Sequence, residues 1–463
     1  MFHKILKAFL KGYFMYIKRV DSVSQTHGVH HILNEKLHPI ERLFWVSLVI
    51  SAFSGGIVIA HIQWIRYIAN PTVISLERDY HDWNGTMPGV TFCYEDRLNS
   101  EAVDAFLEAK WNITPLDDEY SYFASFVEAI VNVSVLDLNK FDEFSFDDRL
   151  REVDFLDITK MTVPILEQHI SNFDRGIHLE AIPIITEKGL CYSINSPLAH
   201  LLSIAQTNPN PKDFGSMQPT LSCKFTKNQC YLKIEVYGDR LSAIYVHSPF
   251  ELPLGESRAF ALESTEEVSS TYKVVETTAD VSLRDLSPKQ RKCLFYDEPI
   301  RELPFYSVNL CTMECRATAA LSICGCKPFF YPFIPGPQCG IDGMFCLNRI
   351  LWLEQTKGMC ECPKPCLDLV YIENSVKIES WDVAVDGIPF AQKSTIRLKI
   401  LPPRMRHRRE VMFTFEDLLV SYGAAMTLFI GTSFYNLLQG TLIHFEFFYD
   451  IIRWCWPRRR YDR

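Results

Sequence analysis

Two stretches of the chain lack the mixing of polar and apolar positions that marks a water-facing surface. Residues 44–64 (FWVSLVISAFSGGIVIAHIQW) contain no Asp, Glu, Lys or Arg. At about 1.5 Å per helical residue the run spans roughly 30 Å, the hydrocarbon thickness of a bilayer. Arg42 on one side, and Trp64, Arg66 and Tyr67 on the other, are interfacial anchors. A cleaved leader fits badly, because the run is too long and follows a segment that already carries acids. The second stretch, 422–448, is less pure. It holds Gly423, Gly431, Gly440, Asn436, Gln439, His444 and Glu446, and is followed by Arg453, Arg458, Arg459 and Arg460. The basic flank is a stop-transfer signal, and polar groups at membrane depth face a cavity rather than lipid. The competing reading is a buried helix of a soluble domain.

Between these stretches the pattern is that of a folded mixed domain. Residues 90–93, 369–378 and 395–401 read as strands, and 272–283 alternates apolar with polar. Residues 231–250 alternate around Gly238-Asp239, which predicts a hairpin. Helical periodicity marks 122–131. In the N-terminal tail His27-Gly28 breaks any continuous helix. The expected fold class is membrane α plus extracellular α+β: two transmembrane helices flanking a disulfide-rich β core with a helical, thumb-like region. The expected segments are a cytosolic tail 1–43, a first span 44–64, an exterior domain 65–421, a second span 422–448 and a cytosolic basic tail 449–463.

Charge and cysteine usage sharpen this division. The net charge is −9, yet both ends are basic and the acidity lies in the middle, as cytosolic tails around an outside domain require. The basic run 404–409 is short and has no stacking platform, so nucleic acid is excluded as a partner. Of 15 cysteines, all but Cys455 lie between the two stretches, and ten crowd into 293–366. An even set on one side of a membrane points to disulfides in an oxidising exterior. A zinc reading of the CxC pairs Cys324/Cys326 and Cys360/Cys362 lacks accompanying His ligands. Sequons at Asn84, Asn112 and Asn132 fall in the same region. His27, His30 and His31 have no acidic or thiol neighbours, so no metal is expected there. An ectoenzyme is disfavoured by the lack of a G-x-S-x-G elbow, an HExxH pair or a phosphate-cradling loop, and no catalytic residues are assigned.

Several strings are more specific. MPGVTFC (87–93), GLCYSIN (189–195), CLFYDE, YSVNLCTMECRATAALSICGCKPFFYP (306–332), CECPKPC (360–366) and FTFEDLLVSYG (413–423), leading into LFIGTS (428–433), follow one another along the chain. In order and spacing they resemble the degenerin/epithelial sodium channel family, and within it the insect pickpocket branch. His27-Gly28 matches that family's gating dipeptide.

The resemblance implies a disulfide order of Cys93–Cys191, Cys293–Cys366, Cys311–Cys362, Cys315–Cys360, Cys324–Cys346 and Cys326–Cys339, leaving Cys223 and Cys230 to pair locally. It also implies three subunits, homomeric or mixed with related channel subunits, around a pore lined by the second span. A selectivity filter would lie at Gly431, Thr432 and Ser433, where glycine lets the backbone leave the helix and a ring of oxygens replaces part of a sodium ion's hydration. Packing of small residues between helices is the competing role for Gly431 and Ser433. The implied function is a sodium-permeable, amiloride-sensitive, sensory channel subunit in the plasma membrane, contacting lipid and gated by an unidentified stimulus. No cofactor is implied beyond the permeant Na+.

Some positions depart from the family pattern. Gln439 stands where relatives carry Glu, with Glu446 further along the inner pore. Gly423-Ala424 replaces Gly-Gly, Thr427 replaces a glycine, and Val420 occupies a gating position. These leave open a second reading, a non-conducting accessory or receptor subunit that needs relatives to form a pore.

Overall fold

The computed structural model describes residues 16, 27–34, 36–78, 83–95, 97–144, 147–163, 166–171, 179–207, 220–225, 230–237, 242–299, 303, 305–382, 385 and 393–455. The chain forms two units. One comprises Met1–Val73, Ser282–Arg291 and Glu410–Arg463, the other Ile74–Val281 and Lys292–Arg409.

Among the described residues the first unit is mainly helical. Its principal element is the 31-residue helix Pro39–Ala69, which extends the predicted apolar run at both ends. Pro39 starts it, and the His38 ring accepts the Ile40 N–H (3.3 Å), an arrangement that satisfies one otherwise orphaned donor. None of its residues is buried; Leu48, Ile50, Phe53, Ile57 and Ile62 stand exposed. Among the described residues this is the one helix long and apolar enough to cross a membrane. Its C-terminal turn meets the start of the helix Phe415–Ala425: the Arg66 guanidinium lies over the Phe413 ring at 4.9 Å, and the Met412 N–H donates to Pro71 O (2.8 Å). Phe415–Ala425 begins in a reciprocal capping box between Thr414 and Asp417, which satisfies two donors at once.

The second unit holds two sheets and a helical cluster. A five-stranded antiparallel sheet has the order β10 (Phe260–Leu262), β9 (Ser242–His247), β3 (Gly89–Tyr94), β6 (Gly189–Ile194), β5 (Ile182–Thr186). Strands β3 and β6 are buried at every residue, which explains their unbroken apolar reading. A seven-stranded sheet has the order β1 (Thr72–Glu77), β14 (Arg406–Val411), β11 (Glu266–Ala279), β13 (Lys393–Leu401), β8 (Tyr231–Tyr237), β4 (Glu167–Ser171), with β12 (Asp368–Ser380) paired to the other edge of β11. Strand β11 runs parallel to β13 and β14 and antiparallel to β12. A small ladder joins β2 (Asn84–Thr86) to β7 (Ser222–Lys224).

The hairpin predicted over 231–250 does not form. Strand β8 pairs with β13 and β4, whereas β9 pairs with β3 and β10 in the other sheet. The alternation was real, since Leu232, Ile234 and Val236 are buried. Its apolar face is matched by Ile396 and Leu398 of β13, which are also fully buried. The distant partner buries more apolar surface than a two-residue turn would bring together. The turn itself, 238–241, lies outside the described residues.

The helical cluster packs Phe123, Phe126, Phe141, Phe155, Phe329, Phe330 and Trp352 into one core, including the predicted helix, observed as Tyr120–Asn132. Seven disulfides join Cys93 to Cys191, Cys223 to Cys230, Cys293 to Cys366, Cys311 to Cys362, Cys315 to Cys360, Cys324 to Cys346 and Cys326 to Cys339. The CxC cysteines are thus consumed in bridges.

The helix Val308–Cys324 carries three of these bridges along its length, to Cys362, Cys360 and Cys346. At its N-terminus the Glu251 carboxylate accepts from Ser307 Oγ (2.6 Å) and from the Val308 and Asn309 N–H groups (3.0 Å each). Burial pushes the Glu251 carboxyl up, against the pull of these donors.

Candidate pore segment and its supports

The helix that starts at Phe415 does not run on. After Ala425 the backbone widens into a π-helical turn, Met426–Ile430. At Gly431 it turns left-handed, with φ +71, a conformation costly for residues bearing a Cβ. Residues 431–433 are non-helical, and a second helix, Phe434–Cys455, follows. The Gly431 N–H is shared between Met426 O and Thr427 O (3.1 and 3.0 Å). The hydroxyl of Thr427 donates to Gly423 O at 2.8 Å and also approaches Thr432 O at 3.5 Å. Ser433 Oγ accepts the Asn436 N–H (3.3 Å) at the start of the lower helix, as an N-cap does. Thr432 is buried and Ser433 is exposed.

Such a break frees carbonyls that need partners, and the N-terminal segment supplies one. The His27 N–H donates to Ile430 O at 2.9 Å. The His27 ring lies so close to Gly431 that a Cβ there would clash with His27 Cδ2. Gly28 follows with φ +81 and starts the short helix Val29–Leu33; a Cβ on it would meet Val49 Cγ2 at 2.7 Å. His31 stacks on Trp45 of the long helix at 4.3 Å. His27, Gly28 and Gly431 thus form one site, which the sequence reading had placed apart as gating and filter positions.

The sequence reading missed the seat for Phe429. The Gly55-Gly56 pair of the long helix lies against this side chain: a Cβ on Gly55 would approach the ring to 3.1 Å, and one on Gly56 would lie 3.6 Å from Phe429 Cβ. A Gly-Gly pair inside an apolar run was the available signal. Val420, Gln439 and Glu446 are exposed on the broken helix, and the structure does not bring them to this site.

Tyr16 reaches the lower helix, where its hydroxyl hydrogen-bonds His444 Nε2 (2.8 Å) and its ring stacks on Phe447 (4.3 Å). Among the described residues no group of three or more His, Cys, Asp or Glu side chains could hold a metal.

In the second unit two arginines of the basic run are engaged in ion pairs. Arg406 and Arg408 both reach Glu77 (2.7 and 3.0 Å), and Arg408 also pairs with Asp280. Asn84 and Asn112 are exposed, and Asn132 is half-buried.

The sequence of the amiloride-sensitive sodium channel family matches residues 22–439, and the chain belongs to that family of ion channels. The chain is 22% identical to the sodium channel protein Nach of Drosophila melanogaster, over 90% of this chain and 84% of that protein. It is 21% identical to the bile acid-sensitive ion channel of Rattus norvegicus (91% and 86% covered). With pickpocket protein 19 of Drosophila melanogaster it shares 23% identity over 93% and 90%.

Proposed function

We propose that the chain is one subunit of a trimeric, sodium-permeable, amiloride-sensitive cation channel of the plasma membrane, gated through its extracellular unit and serving a sensory cell. In this reading residues 44–64 and 422–448 each cross the bilayer, both termini are cytosolic, and 65–421 lies outside. The observation that carries it is the interruption at Gly431, Thr432 and Ser433, with the His27 N–H on the freed Ile430 carbonyl. Non-helical backbone at membrane depth is tolerable only where it borders protein or water. Three exposed Ser433 side chains around an axis would offer hydroxyl oxygens to a partly dehydrated sodium ion. His27 and Gly28, packed on the break, would bias it between conducting and closed arrangements.

The test is whole-cell sodium current in cells expressing the chain alone and with relatives, before and after amiloride. In the conducting combination Ser433→Cys, treated with a cationic thiol reagent from outside, is expected to lose most of the current while the wild type keeps it. Unaltered current in treated Ser433→Cys channels would remove the pore assignment.

Gln439 favours a second reading. Three neutral amides in place of carboxylates weaken the field that draws cations into the inner pore. A subunit of this kind conducts only in mixed trimers or serves as an accessory chain.

A further inference from the structure

Asn132 is the last residue of the helix Tyr120–Asn132 and lines a shallow pocket of about 300 Å³ between that helix and the 3-10 turn Leu138–Phe144. We infer that this pocket is the seat of the proximal sugar of an N-glycan carried by Asn132 itself. The inference rests on the exterior placement of this unit proposed above.

The orientation of the amide is the first support. Asn132 Oδ1 accepts the backbone N–H of Arg97 at 3.1 Å. A backbone donor fixes which end of the amide is oxygen, so Nδ2 is the atom left for attachment. The anchor is rigid, because the buried Arg97 guanidinium donates to Tyr94 O (2.7 Å) and Val131 O (3.2 Å). The helix end that presents Asn132 is therefore held from behind.

The chemistry of the walls is the second support. Glu128, Glu143, Asn139 and Ser125 surround the pocket with Phe144. Ser125 Oγ donates to Ser121 O (2.7 Å), which leaves its lone pairs as acceptors. The nearby Lys140 ammonium is already engaged by Asp137 and by Asn132 O (3.2 Å each). What remains is a set of acceptors, with the Asn139 amide also able to donate, beside an aromatic ring. That set suits a neutral, hydroxyl-rich ring with one apolar face, and the pocket has room for a pyranose. In the attachment step the Asn132 Nδ2–C1 bond forms while the C1–O bond that joins the oligosaccharide to its polyprenyl pyrophosphate carrier breaks. The amide proton leaves with the lipid pyrophosphate.

The full chain expressed in insect cells provides the test. Sequon occupancy is mapped by mass spectrometry after peptide-N-glycosidase digestion in 18O-water, in native and denatured protein. All three sequons are expected to be occupied. In native protein the Asn132 glycan should be released about tenfold more slowly than those of Asn84 and Asn112, the factor for a local opening costing about 1.4 kcal/mol. The double variant Glu128→Ala, Asn139→Ala should abolish that protection, and denatured protein should show no difference. A bare Asn132 beside glycosylated Asn84 and Asn112, or equal native release rates, overturns the inference and leaves the topology standing. Three bare sequons overturn both.

Discussion

His247 shows how a single half-buried side chain ties stability to pH. Its ring bridges β9 and β3: Nδ1 lies 2.8 Å from Ser248 O and Nε2 lies 2.7 Å from Thr91 Oγ1. Nδ1 must donate to the carbonyl, which leaves Nε2 to accept the Thr91 hydroxyl in the neutral ring. Burial pushes the imidazole down from 6.5 to about 4. The unfolded chain therefore takes up this proton first, and stability falls as pH drops from about 6.5 to about 4, then stays level below. Denaturant unfolding at pH 7 and pH 4 should show His247 contributing a loss of about 3 kcal/mol. His247→Gln should flatten that part of the profile, and an unchanged slope would sink the assignment. At the same scale Glu187, fully buried, accepts from Arg316 Nη1 (2.8 and 2.7 Å), Tyr331 Oη (2.6 Å) and the Gly255 N–H (2.7 Å). No local pattern announces this cluster, because its members come from distant parts of the chain.

At the scale of elements, the helix Val308–Cys324 depends on cross-links as much as on its own propensity. Leu310, Met313, Ala317 and Ala320 are buried along it at helical spacing, but the buried Glu314 and Arg316 blur that stripe in the sequence. The bridges Cys311–Cys362 and Cys315–Cys360 clamp its first half to the 360–366 segment. Removing the second bridge by the double variant Cys315→Ser, Cys360→Ser should cost about 2–4 kcal/mol, because the unfolded chain regains the freedom of a long loop. Thermal unfolding of the purified chain would register this as a lower midpoint, and a midpoint equal to wild type would contradict it. The strands teach a complementary lesson. Alternation located β8, β11, β12 and β13 to within a few residues, with β11 starting earlier than the pattern indicated. Which strands pair was not local information: β11 lies between β12 on one edge and β13 and β14 on the other.

At the scale of the whole molecule, the family is established, and under the proposed function the broken helix is the element on which conduction turns. If Gln439 limits independent conduction, restoring a carboxylate should reverse it. Gln439→Glu expressed alone is expected to raise sodium current relative to wild type, with little change when relatives are coexpressed. Equal currents from the two chains expressed alone would remove Gln439 from the account. The sequence by itself determined the apolar run at 44–64, the partition of cysteines and sequons into one stretch, and the glycines at which the backbone must turn. These are contests between one segment and its solvent, and they leave their mark residue by residue. Tertiary structure alone decided that β8 and β9 part into separate sheets, that Glu187 finds Arg316, and that the His27 N–H closes the gap at Ile430. Each of those outcomes depends on which distant surfaces bury one another and which freed donors and acceptors then meet.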